Sequence, residues 1–125
     1  MKPLLRVVIV LPGLFFTLMG VVWLVQPARA AASLGMPLLE GAGRSAQVAD
    51  MAVFFFALGI MILLSAVRLR SHWFLIPALM LLGAAAFRTF AWLTHGADFV
   101  ASAVAVELLV GCLLLFARSQ LSEQH

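Results

Sequence analysis

The sequence predicts an all-α integral membrane protein, a four-helix bundle forming one domain over residues 1–125. Both termini are expected on the inner side of the membrane. A short interfacial helix is expected between the first and second spans. Three observations predict this. Of 125 residues, 65% are hydrophobic and only 10% charged, more apolar surface than a soluble chain of this length can hide. Apolar runs long enough to cross a bilayer recur four times. The basic residues flank these runs and form no stripe with interleaved aromatics, so the +3 net charge points to membrane topology and not to nucleic acid.

The first span is read over residues 4–25, broken only by Arg6 and Thr17. At 1.5 Å per residue it reaches roughly 33 Å, against a hydrocarbon core of about 30 Å. Pro12-Gly13 should kink or loosen it. Lys2 and Arg6 resemble a signal n-region, and Ala28-Arg29-Ala30 resembles a cleavage site. The apolar core exceeds the roughly 7–15 residues of a signal peptide, so a retained span is expected. Trp23 reads as an anchor at the membrane edge. Pro27 suits a first helical position and Gly35 a stop, which predicts a short helix over 27–34. An irregular turn should follow through Met36-Pro37 and Gly41-Ala42-Gly43.

The second span is read over 45–67, with Gln47 and Asp50 in its first two turns. Phe54, Phe55 and Phe56 go round that helix, so at least one ring should face lipid or a partner. Arg68-Leu69-Arg70-Ser71-His72 is a basic link whose charges suit anionic headgroups. The third span, 73–94, carries Pro77 in its first turn, where proline is tolerated, and a small-residue surface at Gly83-Ala84-Ala85-Ala86. The fourth, 97–117, has small residues at Ala97, Ala101 and Ala105, and Asp98 should cap it. A polar tail ends the chain. Lys2, Arg6, Arg68, Arg70 and Arg118 flank one side and Arg29 and Arg44 the other, which predicts N-in, C-in insertion in the inner (cytoplasmic) membrane.

Ionisable residues inside apolar spans are costly and tend to face protein or water. Asp50, Arg88 and Glu107 are the residues concerned. From the outer ends of their spans they lie roughly 7, 10 and 15 Å deep at 1.5 Å per residue, differences an arginine side chain can bridge. Gln47, Asp50, Phe54 and Ala57 share one helical face; Arg88, Trp92 and His95 share another; Ala103, Glu107 and Gly111 share a third. Small residues a turn either side of Glu107 would leave room beside it. The candidate site is therefore Asp50, Arg88 and Glu107, with Gln47, Trp92 and His95 around them. Arginine paired with carboxylate is the strongest way to satisfy both charges, and one arginine against two acids leaves one acid uncompensated. The same residues also fit a purely structural network, since buried polar groups often fasten small bundles. Gln47 reads as an interhelical hydrogen-bond donor and His95 as an interfacial residue. A lone histidine beside one aspartate is a poor metal site, and no metal or cofactor is expected. No nucleophile–base set, histidine pair or phosphate loop is visible, so no catalytic residues are assigned. Arg29, Arg44 and the 41–43 turn are a weak anion signal. Cys112, the one cysteine, reads as a small hydrophobe.

The arginine in Ala86-Phe87-Arg88, the bend at Gly96 and the glutamate opening Glu107-Leu108-Leu109-Val110-Gly111 resemble a known family. Pro27, Leu34-Gly35 and Leu58-Gly59 also fit. The chain is similar to small four-helix bacterial membrane proteins classed as a domain of unknown function, distantly similar to DoxX-like membrane proteins. Members often carry an arginine early in the second helix, where this chain reads Gln47-Val48-Ala49-Asp50. The resemblance implies a four-span bundle and no activity. Its DoxX-like side implies a quinone-linked or accessory role in membrane redox complexes.

These readings favour a binding or accessory protein with an outward-facing polar pocket for a small amphipathic molecule, a lipid or a partner helix. Alternatives are a small proton-coupled transporter acting as an oligomer, and a purely structural subunit of a membrane complex. The lipid bilayer is the expected surrounding, and the small-residue faces suggest a homo-oligomer or a complex partner.

Overall fold

A computed structural model describes residues 1–123 and contains five helices in that stretch: α1 (Pro3–Val25), α2 (Pro27–Ser33), α3 (Gly41–Arg68), α4 (Ser71–Thr94) and α5 (Ala101–Glu123). All but α2 are long and apolar enough to cross a membrane, which makes the chain a multi-pass helical membrane protein. α1 stays one helix across Pro12. Its end meets α2 at Pro27, which sits at a first helical position where no N–H is needed. α2 closes with the Met36 N–H donating to the Ala31 carbonyl and the Gly35 N–H to the Ala32 carbonyl, at 2.9 and 3.0 Å. That reverse turn requires a left-handed residue, and Gly35 supplies it with φ 72°.

Three span boundaries differ from the sequence reading by four residues or more. α3 starts at Gly41 and not at 45, so the Gly41-Ala42-Gly43 stretch is its first turn and not an irregular one. Composition suggested a turn, but side chains further along α3 brace the strap before it, as described below. α5 starts at Ala101 and not at 97. Gly96, with φ 67°, folds the chain back until the Ala97 N–H reaches the Ala91 carbonyl at 3.3 Å, so 97 is spent on finishing α4. Asp98 is consequently in the loop and does not cap α5. At the other end α5 continues past 117, because Ala117 and Leu121, one turn apart, are both buried. Residues 124 and 125 of the expected tail lie outside the described residues.

The helices pair as α1 on α3 and α4 on α5, with smaller contacts of α3 on α4 and α1 on α5. The α1–α3 pair is close because glycines allow it. A Cβ on Gly20 would stand 2.7 Å from the Phe56 backbone nitrogen, and one on Gly59 would strike Thr17 and the Gly13 carbonyl. Between α3 and α4, fully buried Ser65 has its Oγ 2.8 Å from both the Met61 and Trp73 carbonyls, so its one proton links the helices across the two-residue turn. Ile9, Ile62, Ala66, Phe74, Leu81, Leu114 and Ala117 belong to the core at this end. Trp23 is also in the core, at 0% exposure with Ala30 and Ala31 of α2, and not an edge anchor. The short helix packs with it in the core, and its indole N–H has no partner among the described residues. Towards the α4–α5 loop the packing thins: no described residue of α4 beyond Ala85 is buried.

Candidate ligand site at Arg88 and Glu107

Arg88 lies six residues before the end of α4, and Glu107 six residues after the start of α5. Antiparallel helices joined by a short loop place such positions at one level, roughly 9 Å from the helix ends at 1.5 Å per residue. The side chains meet there. Arg88 Nε donates to both carboxylate oxygens of Glu107, at 2.9 Å to Oε1 and 3.1 Å to Oε2. The pair is asymmetric in exposure: the Glu107 side chain is 10% exposed and that of Arg88 41%. The acid is thus walled in by α4 and α5, while the guanidinium looks outward.

Glu107 engages Nε alone. The two terminal nitrogens of Arg88 make no hydrogen bond among the described residues. Arg88 lines a hollow of about 260 Å³ together with Ala91, Ala97, Asp98 and Val100. Its walls are small or apolar except for Arg88 and Asp98. Asp98 reaches this wall because Gly96 ends α4 early and leaves 97–100 as loop, which helix-pattern reading could not anticipate. A second hollow of about 410 Å³ lies at the opposite end, along Met1, Pro3, Arg6, Val7, Val10 and Leu11.

The other expected site residues are distributed differently. Asp50 is exposed on α3 and forms no ion pair or hydrogen bond among the described residues. It shares a helical level with Arg88 but not a contact. Gln47 is 6% exposed and serves the strap before α3, accepting from the Leu39 N–H at 2.8 Å and donating to the Pro37 carbonyl at 3.0 Å. It is a loop clamp, not an interhelical donor. Arg44 adds a third bond to that strap, donating through Nε to the Leu39 carbonyl at 2.7 Å. Trp92 and His95 are exposed at the rim: the Trp92 ring lies 5.0 Å from Phe99, and His95 lies 5.6 Å from Phe90. The space expected beside Gly111 is filled by Leu82, which a Cβ there would approach to 2.8 Å. Room near the pair is on the Arg88 side instead. Among the described residues, no three His, Cys, Asp or Glu side chains come together as a metal site.

No family model, curated protein or solved structure matches the chain.

Proposed function

We propose that this protein is a small membrane binding protein whose Arg88 hollow takes the anionic headgroup of an amphipathic molecule. The observation that carries it is the half-used guanidinium: Nε is fixed by Glu107, and the terminal nitrogens lack partners among the described residues at a hollow of about 260 Å³. Glu107 holds the arginine in place, and the free N–H groups match a carboxylate or phosphate geometrically. The surrounding alanine and valine surface suits the first methylenes of a chain lying along α4. The amphiphile could be a lipid or a free fatty acid, since the recognised chemistry is the same. Orientation belongs to the same proposal: with Lys2, Arg6, Arg68, Arg70 and Arg118 inward in the cytoplasmic membrane, the hollow opens on the outer side.

The test is thermal unfolding of the protein in neutral detergent with dodecanoate, dodecyl phosphate or dodecanol. Saturating ligand at 100 times its Kd stabilises by about 2.7 kcal/mol. The two anions should raise Tm and dodecanol should not. Arg88→Gln should abolish the rise. Ala91→Leu, which fills the hollow and keeps the ion pair, should abolish it too. Equal shifts with dodecanol, or unchanged shifts in both variants, would refute the proposal and leave the ion pair as a fastening of the bundle.

A further inference from the structure

Two charged groups inside the spans have unused bonding capacity, and they have opposite sign. One is the Asp50 carboxylate, exposed on α3 with no partner among the described residues. The other is the outer half of the Arg88 guanidinium on α4. In lipid neither can be left to water, because each unpartnered charge there carries a large desolvation cost. Height relates them. α3 ends at Arg68 and α4 begins at Ser71, so the two-residue turn levels their inner ends. Asp50 is 18 residues before Arg68, and Arg88 is 17 residues after Ser71. At 1.5 Å per residue both stand roughly 26 Å above the turn.

α3 and α4 are neighbours in the bundle, and each carries an exposed charge at one depth, Asp50 on α3 and Arg88 on α4. A two-fold axis along the membrane normal preserves depth and brings α3 of one copy against α4 of the other. Such an interface is self-complementary: the contact Asp50 to Arg88 is made twice, once in each direction. A different partner would have to supply both charges at that depth. A second copy has them already. Ala46 and Val53, one turn either side of Asp50, are exposed and short enough for a neighbouring helix to approach the carboxylate.

We propose that a second copy of this chain docks on the α3–α4 face and that its Asp50 receives the terminal N–H groups of Arg88, in two symmetric pairs. The inference does not depend on the amphiphile, and its test contains none. Labelled protein is reconstituted into phosphatidylcholine vesicles over a range of protein-to-lipid ratios, and the dimer fraction is read by single-molecule photobleaching. The wild type should populate dimers at ratios where Asp50→Asn is monomeric, with at least a tenfold fall in the association constant. Asp50→Glu should restore most of it. Because Asp50 has no partner among the described residues, Asp50→Asn should keep wild-type helicity and monomer Tm. A wild type that stays monomeric at every ratio, or an Asp50→Asn variant that dimerises like it, overturns the proposal.

Discussion

At Glu107 the protein holds a carboxylate that is 8% exposed and has one donor among the described residues, Arg88 Nε. Removing either member does different things. Arg88→Leu strands a buried negative charge, a loss of about 3–5 kcal/mol in comparable pairs. Glu107→Gln removes the charge but keeps an oxygen that can accept from Nε, and the arginine, 41% exposed, retains access to polar surroundings. The cost should be about 1–3 kcal/mol. Equilibrium unfolding in mixed micelles should therefore rank Arg88→Leu well below Glu107→Gln. An inverted order would mean that the arginine, not the acid, is the group the fold must satisfy. Arg88 and Glu107 could be read from the chain as a pair because few charges interrupt the last two apolar runs and a short bend joins them, although the sequence reading set Glu107 roughly 5 Å deeper and only the start of α5 at Ala101 levels the two. Asp50 was harder. Residue counting gives its depth, but its azimuth depends on which face α1 claims, and the glycine contacts that decide this are tertiary.

Among the helices, the closest approach is between α1 and α3, where Gly13, Gly20 and Gly59 stand in for side chains. In lipid, helix association draws on packing and backbone proximity more than on hydrophobic exclusion, so these positions should be sensitive. A methyl at Gly59 meets the Thr17 backbone and the Gly13 carbonyl, neither of which can swing aside. Gly59→Ala should cost about 1–3 kcal/mol by overpacking. A methyl at Gly83 meets nothing within 4 Å, so Gly83→Ala should be neutral or gain up to about 1 kcal/mol of helix propensity. Tm measurements on the pair separate a packing glycine from a tolerated one. The strap before α3 gives a second contrast: Gln47→Ala frees Leu39 N–H and the Pro37 carbonyl, and hydrogen exchange should quicken at 36–40 while α4 and α5 stay protected. Hydrophobic run length made every span legible, since crossing a bilayer demands about 20 apolar residues. It could not mark where α3 and α5 begin. Glycines 41 to 43 read as a turn until the strap is seen clamped over them. Ala97, Phe99 and Val100 read as helix until Gly96 turns the chain back on Ala91. The Ala97, Ala101 and Ala105 stripe was likewise visible as spacing, yet all three are exposed, so it is not what joins α4 to α5.

For the whole molecule, the proposed amphiphile and the proposed second copy both call on the terminal N–H groups of Arg88. The guanidinium has five N–H donors, of which Glu107 occupies the one on Nε, and a bidentate acid takes two more. If the proposed headgroup, seated in the hollow beside Ala91 and Val100, takes the same two terminal N–H groups as the proposed partner's Asp50, the two compete for them. Under that competition, binding of one weakens the other, and thermodynamic linkage makes the per-site factor identical in both directions. Two measurements follow. Adding dodecyl phosphate to reconstituted wild type should lower the dimer fraction, whereas dodecanol at equal membrane concentration should not. Asp50→Asn, which cannot form the intermolecular pair, should bind dodecyl phosphate more tightly than the wild type does at high protein-to-lipid ratio, and because a dimer holds two such sites, saturating amphiphile should weaken wild-type dimerisation by the square of that per-site factor. At low ratio, where the wild type is monomeric, the two affinities should converge. An amphiphile that binds and leaves dimerisation untouched would place the headgroup on donors that the partner does not use. The two copies would then hold Arg88 from one side while the ligand holds it from the other, and the site would be a junction of three acids around one cation in place of a switch between two states.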